Sequence, residues 1–429
     1  MHHFARLGLL AFIALGAFNQ LAFSSSDWPQ FRGPRGDGQA PEASPPIEWS
    51  ETNHVLWKTP IHGRAWSSPV VSNQRIWLTT ATEDGTALSG ISVATESGEI
   101  IFDDVLFVVK DPQFAHKFNS YASPSPIIDE NRVYLTFGSP GTACLDLQTG
   151  KTLWKRSDIH CDHFRGAGSS PIIDGDLLIM NFDGSDHQFI TAWDKRTGKT
   201  RWRTDRSIDF KDLNEKGEPF NEGDFRKAFS TPHIGHLAGT RTLVSIGAKA
   251  CYGYEPLTGR ELWRYEERNN HSGATRPLII DNWLFYSTGF SKGEFLAFEL
   301  TANHPTPSDS SLVWSTSRSV PKKPSSILSE GRLYLLNDGG ILTCLDAHTG
   351  DELWNERIGG NYSASPILAN GKIYCFSQEG KCVVVNDADT FEIIAENTLD
   401  AGFMASPAVL DDSLILRTES HLYRIGPLK

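Results

Sequence analysis

Basic residues are in short supply: 40 Lys and Arg stand against 52 Asp and Glu, a formal net charge of −12 over 429 residues. With no stripe of clustered Lys or Arg, the chain lacks the electrostatic footprint that nucleic acid and anionic lipid require, whereas neutral or cationic small molecules and protein surfaces stay open. Phosphate loops of Walker type are absent, and the sequence places no Ser, His and Asp together, so neither phosphoryl transfer nor a nucleophilic triad is indicated. The six cysteines show no disulfide framework of the kind small secreted domains use. Cys144 and Cys344 read as small buried apolar residues, and only Cys375 and Cys382, flanking the turn at 378–380, are placed to pair across it. No low-complexity linker divides the chain, so its length argues for one repetitive unit rather than several domains.

What is present is a repeat. Four copies align on a Thr-Gly turn followed by a Trp five positions after the Thr: Thr149 with Trp154, Thr197 with Trp202, Thr258 with Trp263, Thr349 with Trp354. Three residues before each Thr stands an acidic residue, Asp146, Asp194, Glu255 or Asp346, able to accept hydrogen bonds from the N–H groups of a tight turn while Gly takes φ > 0. Eroded copies run from Gly98 to Phe102 and from Asp387 to Ala395, and a fifth keeps only Trp314. Each segment opens on a short dipeptide, Ser-Pro in most copies, as at Ser68-Pro69, Ser125-Pro126 and Ser365-Pro366, and with Arg276-Pro277 and Ser325-Ser326 as variants. Pro at the first residue of a strand removes no interior ladder bond. Each unit therefore reads as four strands, a to d, with Trp on d.

A unit of this kind cannot bury both faces of its sheet alone, so the expected fold is all-β: an eight-bladed β-propeller of four-stranded antiparallel blades. The eighth unit stops after strand c, and the missing d strand is supplied by the segment around Trp57, closing the ring and removing free sheet edges. The expected organisation is a signal peptide at 1–24, an N-terminal extension at 25–53 and the propeller at 54–429. Arg6 followed by the apolar run 7–18 and the small residues Ala22 and Ser24 fit a cleaved export signal, the run being too short to span a bilayer. No Cys stands at the cleavage point for lipidation. The mature chain is expected to be periplasmic or secreted, with no transmembrane segment after cleavage.

Strand alternation places the b–c and d–a loops on one face of the ring. The d–a loops are long, at 103–121, 155–168, 203–229 and 264–274, and long loops on a rigid scaffold are where function concentrates. Asn119, Arg165, Arg226, His271 and Arg276 stand just before strands a, and Asp183 lies in a b–c loop; together these are the expected partner- or ligand-binding residues around the central channel. Neither the string His160 to His163 nor Asp183 to Asp186 is followed by a second cluster with metal spacing, so no metal site is assigned.

The stretch from Ala192 through Asp194, Thr197, Gly198 and Lys199 to Trp202 resembles the tryptophan-docking motif of pyrroloquinoline-quinone (PQQ) type propellers. Partial copies at 144–154, 253–263 and 344–354 extend the likeness over nearly the whole mature chain. The chain most resembles PQQ-like repeat proteins related to the outer-membrane assembly factor BamB, in an exported, planctomycete-type branch; the start from Asp27 to Pro34, residues 119–124 and residues 181–184 are similar to that branch. The resemblance implies that Trp57, Trp154, Trp202, Trp263, Trp314 and Trp354 are structural, tying neighbouring sheets together. It implies an exported binding or assembly scaffold, BamB-like, meeting protein or peptide partners through the d–a loop face, ahead of an enzyme. The alternative it implies is a quinoprotein oxidoreductase using PQQ with Ca²⁺. Such enzymes carry a vicinal Cys-Cys disulfide and long insertions over the quinone; this chain has no Cys-Cys dipeptide and is shorter, so no cofactor is expected. A small polar ligand or saccharide in the channel would need aromatic platforms, for which Trp66, Tyr121 and Phe164 are placed.

Overall fold

A computed structural model describes residues 27–267 and 270–428; the expected leader lies outside the described residues. Eight sheets are arranged as a ring, seven of four strands and one whose four-stranded blade gains a short fifth strand. Blades 1 to 7 each run a, b, c, d in chain order, from Val70–Ser72 in blade 1 to Ile393–Thr398 in blade 7. Blade 8 takes its first three strands from Ala408–Leu410, Ser413–Arg417 and His421–Ile425. Two strands precede blade 1: β1 (Gln39–Ala40) and β2 (Val55–Pro60). Strand β2 pairs antiparallel with His421–Ile425, with Trp57 opposite Arg424, so the N-terminal strand closes the ring as expected.

The local chemistry explains each turn. Between strands a and b the chain reverses through positive φ, as at Asn370 and Gly371 (φ 43° and 68°), the geometry that matches the twist of a hairpin. Between c and d, Asp146 Oδ1 accepts from the Thr149 N–H at 2.8 Å and its hydroxyl at 2.7 Å, and Gly150 supplies φ +70°. Strand d then carries a bulge beside the Trp, as between Thr152 and Trp154, which turns the indole out toward the next blade.

The indoles do what the resemblance implied. Trp154 Nε1 donates to Lys195 O at 3.1 Å, Trp202 to Pro256 O at 3.1 Å, Trp314 to Ala347 O at 2.9 Å, Trp354 to Ala388 O at 3.1 Å and Trp57 to Thr95 O at 2.8 Å. Each acceptor lies on the c–d turn of the following blade. Trp202 lies so close over Gly259 that a Cβ there would fall 2.3 Å from the ring. Trp263 is buried in the cluster between blades 4 and 5. In the eroded copy, Phe391 takes the place under Trp354, with ring centroids 5.1 Å apart.

The opening serines have a second role, around the channel. The Ser68 N–H donates to Ser125 Oγ at 2.9 Å, Ser125 to Ser170 at 2.9 Å, and Ser170 to Thr231 at 3.0 Å. On the other side Arg276 donates to Ser325 at 2.9 Å, Ser325 to Ser365 at 3.0 Å, Ser365 to Ser406 at 2.8 Å, and Ser406 back to Ser68 at 3.1 Å. The belt skips one junction, because Arg276 stands where a hydroxyl would be needed; there the Ser230 hydroxyl donates to Thr275 O at 2.7 Å instead.

The segment set apart as an extension is built into the ring. Trp28 forms a bridge with Val71 of blade 1, the Ile128 N–H of blade 2 donates to Pro29 O at 2.7 Å, and β1 lies parallel to Ile367–Ala369 of blade 7. Between these anchors the chain crosses the channel. Arg32 is buried and donates to Ser326 O and Asp37 O at 2.6 Å, and more weakly to Ser325 O at 3.3 Å and Pro366 O at 3.4 Å. Arg276 donates to Phe31 O at 2.8 Å. Gly36 is required for this crossing, since a Cβ there would lie 2.2 Å from the Arg276 guanidinium.

All six cysteines are buried free thiols. Cys375 and Cys382 do not pair: side chains alternate across a strand, and Cys375 points into the core between blades 6 and 7 while Cys382 points into the core between blades 7 and 8.

Candidate binding cup at the channel mouth

The crossing segment closes one end of the channel and leaves a cup of about 760 Å³ open at the other. Phe31 forms part of its lining from below, and the belt residues Ser68, Ser125, Ser170, Thr231, Ser365 and Ser406 ring the wall. The upper wall comes from d–a loops and two b–c loops, those of blades 5 and 6, as strand alternation required. A volume of this size suits a small molecule or a short peptide segment.

Charge on the upper wall is organised in two groups. In the first, Arg165 grips Asp224 with two hydrogen bonds of 3.0 Å, and the buried Lys227 ammonium also contacts Asp224. In the second, Asp338 accepts from the Lys322 backbone N–H at 2.8 Å and sits 3.4 Å from the Lys323 ammonium. The Lys322 ammonium lies over the Phe290 ring, 5.4 Å from its centroid, and forms no ion pair among the described residues. Two histidines register the resulting field. Burial, then Lys227 and Arg165, pull His271 down to about 4. His116 is lowered by burial and by Arg165, Lys117 and Lys227. Both are therefore neutral imidazoles at neutral pH.

Around the lip the d–a loops expose apolar side chains: Phe114 is 63% exposed, Phe118 55%, Leu213 62% and Phe220 60%. Apolar groups left in water on neighbouring loops mark an interaction surface more readily than scattered single residues do.

The expected binding residues divide between this cup and other places. Asn119, Arg165 and His271 line it. Asn119 also locks two loops together, donating to Gly166 O at 2.9 Å and accepting from the Ser123 hydroxyl at 2.5 Å. Asp183 lies instead in a buried pair with Arg206, at 2.9 and 2.8 Å, with Ser245 and Tyr254 completing the guanidinium's bonds. Arg226 is folded back on Asp212 within the loop 203–229. Arg276 faces the crossing segment rather than the mouth. Of the aromatic platforms, Trp66 lines the cup, and Tyr121 and Phe164 do not.

Sequence reasoning passed over Phe31, Asp224, Lys227, Lys322, Lys323 and Asp338. The pair Lys322 and Lys323 stands just before the blade 6 opening, in a d–a loop as Arg226 does, and was the available signal. A Gly-x-Ser-x-Gly string at 289–293 also has the spacing of a nucleophile elbow. It forms the loop between strands b and c of blade 5, with Ser291 at φ 79° and no helix after it, so the strand-to-helix context is missing.

The cup does not fit a metal-assisted quinone. Its two carboxylates, Asp224 and Asp338, already serve Arg and Lys partners, and among the described residues no group of three His, Cys, Asp or Glu could hold a metal ion.

A closed ring of eight four-stranded blades, joined by Trp-docking turns, defines the chain as a PQQ-like repeat propeller. The family model described as "Outer membrane protein assembly factor BamB" matches residues 47–184, 111–204 and 186–427, and the chain belongs to this family. It is 21% identical over 316 residues to the outer membrane protein assembly factor BamB of Yersinia pestis, covering 64% of this chain and 77% of that protein. Over a shorter stretch of 77 residues it is 27% identical to that factor from Marinobacter adhaerens, covering 18% of this chain and 19% of the relative. Among solved structures it is similar to BamB from Moraxella catarrhalis (TM-score 0.57, 13% identity, 86% of this chain and 99% of that one). It is also similar to a europium-containing methanol dehydrogenase (TM-score 0.67, 11% identity, 93% and 91%). At these identities the structural likeness speaks for the fold alone.

Proposed function

We propose that this protein is an exported binding scaffold that engages protein or peptide partners through its d–a loop face. The observation that carries the reading is the set of exposed side chains Phe114, Phe118, Leu213 and Phe220 around the lip of a cup closed at its far end. Membership of a family described by outer membrane protein assembly supports partner binding as the activity. Export rests on the residues 1–24 read as a leader. No helix among the described residues is long and apolar enough to cross a membrane.

Photo-crosslinking tests the face directly. A benzophenone amino acid is placed at Phe118 or Phe220, and, as the comparison, at Leu257, which is 67% exposed on a c–d turn of the opposite face. Adducts to discrete proteins of the native envelope are expected from positions 118 and 220. Adducts from 257 alone, or from none of the three, would overturn the assignment.

A further inference from the structure

The chain is acidic as a whole, yet its cup is not. Four basic side chains, Arg165, Lys227, Lys322 and Lys323, line it against two carboxylates, Asp224 and Asp338, with burial and then Arg165 lowering Lys227 to about 7. Arg165 and Lys227 share Asp224, and Lys323 takes Asp338 beside Lys322, so basic groups outnumber carboxylates in each cluster. Asp338 spends one oxygen on the Lys322 backbone rather than on its ammonium, which among the described residues leaves that ammonium the face of Phe290. Burial first, and this excess second, lowers His116 and His271. In a concavity such a field favours an anionic occupant and repels a cationic one.

The shape narrows the occupant further. Because Phe31 and the crossing segment close the far end, an extended chain cannot pass through the ring; only a chain end or a tight loop enters. The apolar surface continues beyond the cup, since Phe114, Leu213 and Phe220 stand on the lip outside its lining. A ligand that uses both is larger than the cup itself and has an acidic tip and an apolar neck.

We infer that the cup receives an acidic chain end of a partner protein, its carboxylates held between the Arg165–Asp224–Lys227 and Lys322–Asp338–Lys323 groups and its apolar flank resting on the lip. This rests on the scaffold reading above and names the chemistry of the partner. It also accounts for the closed floor, which a simple docking ring would not need.

The test is fluorescence anisotropy on the purified mature chain. The probes are a fluorescein-labelled octapeptide of Phe and Leu followed by six Asp and Glu residues, the same peptide with Lys in place of the acids, and free citrate as competitor. The acidic peptide is expected to bind, to weaken at least tenfold between 50 and 500 mM NaCl, and to weaken at least tenfold in Lys322→Glu/Lys323→Glu. Lys322→Arg/Lys323→Arg retains binding, and an unchanged thermal midpoint shows that charge, not folding, is being read. Equal binding of the Lys peptide, or undiminished binding by the Glu double variant, would refute the proposal. Citrate that displaces the peptide at equal concentration would make the cup a small-polycarboxylate site instead, and no binding at millimolar peptide would also sink it. Crosslinks from position 118 that persist in the Glu double variant would show that only this inference has failed; their absence in the unmutated chain would remove the scaffold reading itself.

Discussion

Glu267 follows strand d of blade 4, fully enclosed, with neither carboxyl oxygen meeting a hydrogen-bond partner among the described residues. Burial raises it to about 8 from 4.5, opposed in part by Tyr286 and reinforced by Glu294. The unfolded chain releases this proton above pH 4.5 while the folded chain keeps it up to about 8. Folding therefore takes up a proton in that window, and stability falls as pH rises, by about 1.4 kcal/mol per unit. Between pH 6 and pH 9 the group removes about 3 kcal/mol, because the folded carboxyl itself begins to ionise near 8 and the loss levels off. Glu267→Gln keeps the shape of the neutral acid without the proton. Urea unfolding followed by Trp fluorescence should find the variant gaining on the parent by about 3 kcal/mol from pH 6 to pH 9, other titrating groups cancelling in the difference. A difference constant to within about 0.5 kcal/mol across that range would show that the carboxyl is ionised in the folded state and that the burial argument is wrong.

Two further outcomes follow from the ring itself. Ser365→Ala removes the acceptor for the Ser325 N–H at the channel wall and leaves that donor buried without a partner, a loss of about 1–3 kcal/mol readable as a lower urea midpoint; an unchanged midpoint would mean the belt contributes nothing net. Arg32→Met withdraws the donors to the carbonyls of Asp37, Ser325, Ser326 and Pro366 and leaves them buried without that partner, costing about 1–3 kcal/mol. It should also release the crossing segment to limited proteolysis within residues 28–40. Resistance there equal to the parent's would show that the crossing is held by Trp28 and β1 alone.

The ring was readable because its causes are local and repeated. Thr197, Gly198 and Trp202 each act within one turn of their own strand pair, so four aligned copies expose the motif without any coordinates. Ring closure was readable for a related reason: a blade lacking a d strand at one end of the chain and a d strand lacking a blade at the other have one economical solution. The serines at the strand openings were visible as a pattern, but not their purpose. Ser68 and Ser406 are far apart in sequence, and only closure brings the hydroxyl of one to the N–H of the other.

The site was less legible. Asn119, Arg165 and His271 were found because they precede strands that begin at the channel, a rule of topology that the ring obeys. Asp183, Arg226 and Arg276 satisfied a similar rule and were claimed by partners: Arg206, Asp212 and the crossing segment. A sequence shows which charges are near the mouth but not which of them another charge has already neutralised, because pairing depends on side chains brought together from different blades.

Composition, turn chemistry and repeat spacing thus determined the architecture of this chain, since each of blades 1 to 7 is dictated by contacts within about fifty residues of itself. Tertiary structure alone decided that residues 28–40 stop the channel and that two lysines before blade 6 face an arginine and a lysine from the loops around blade 3. Those facts depend on where distant segments meet once the ring has closed, and the net positive charge of the cup is set there, against the sign of the whole chain.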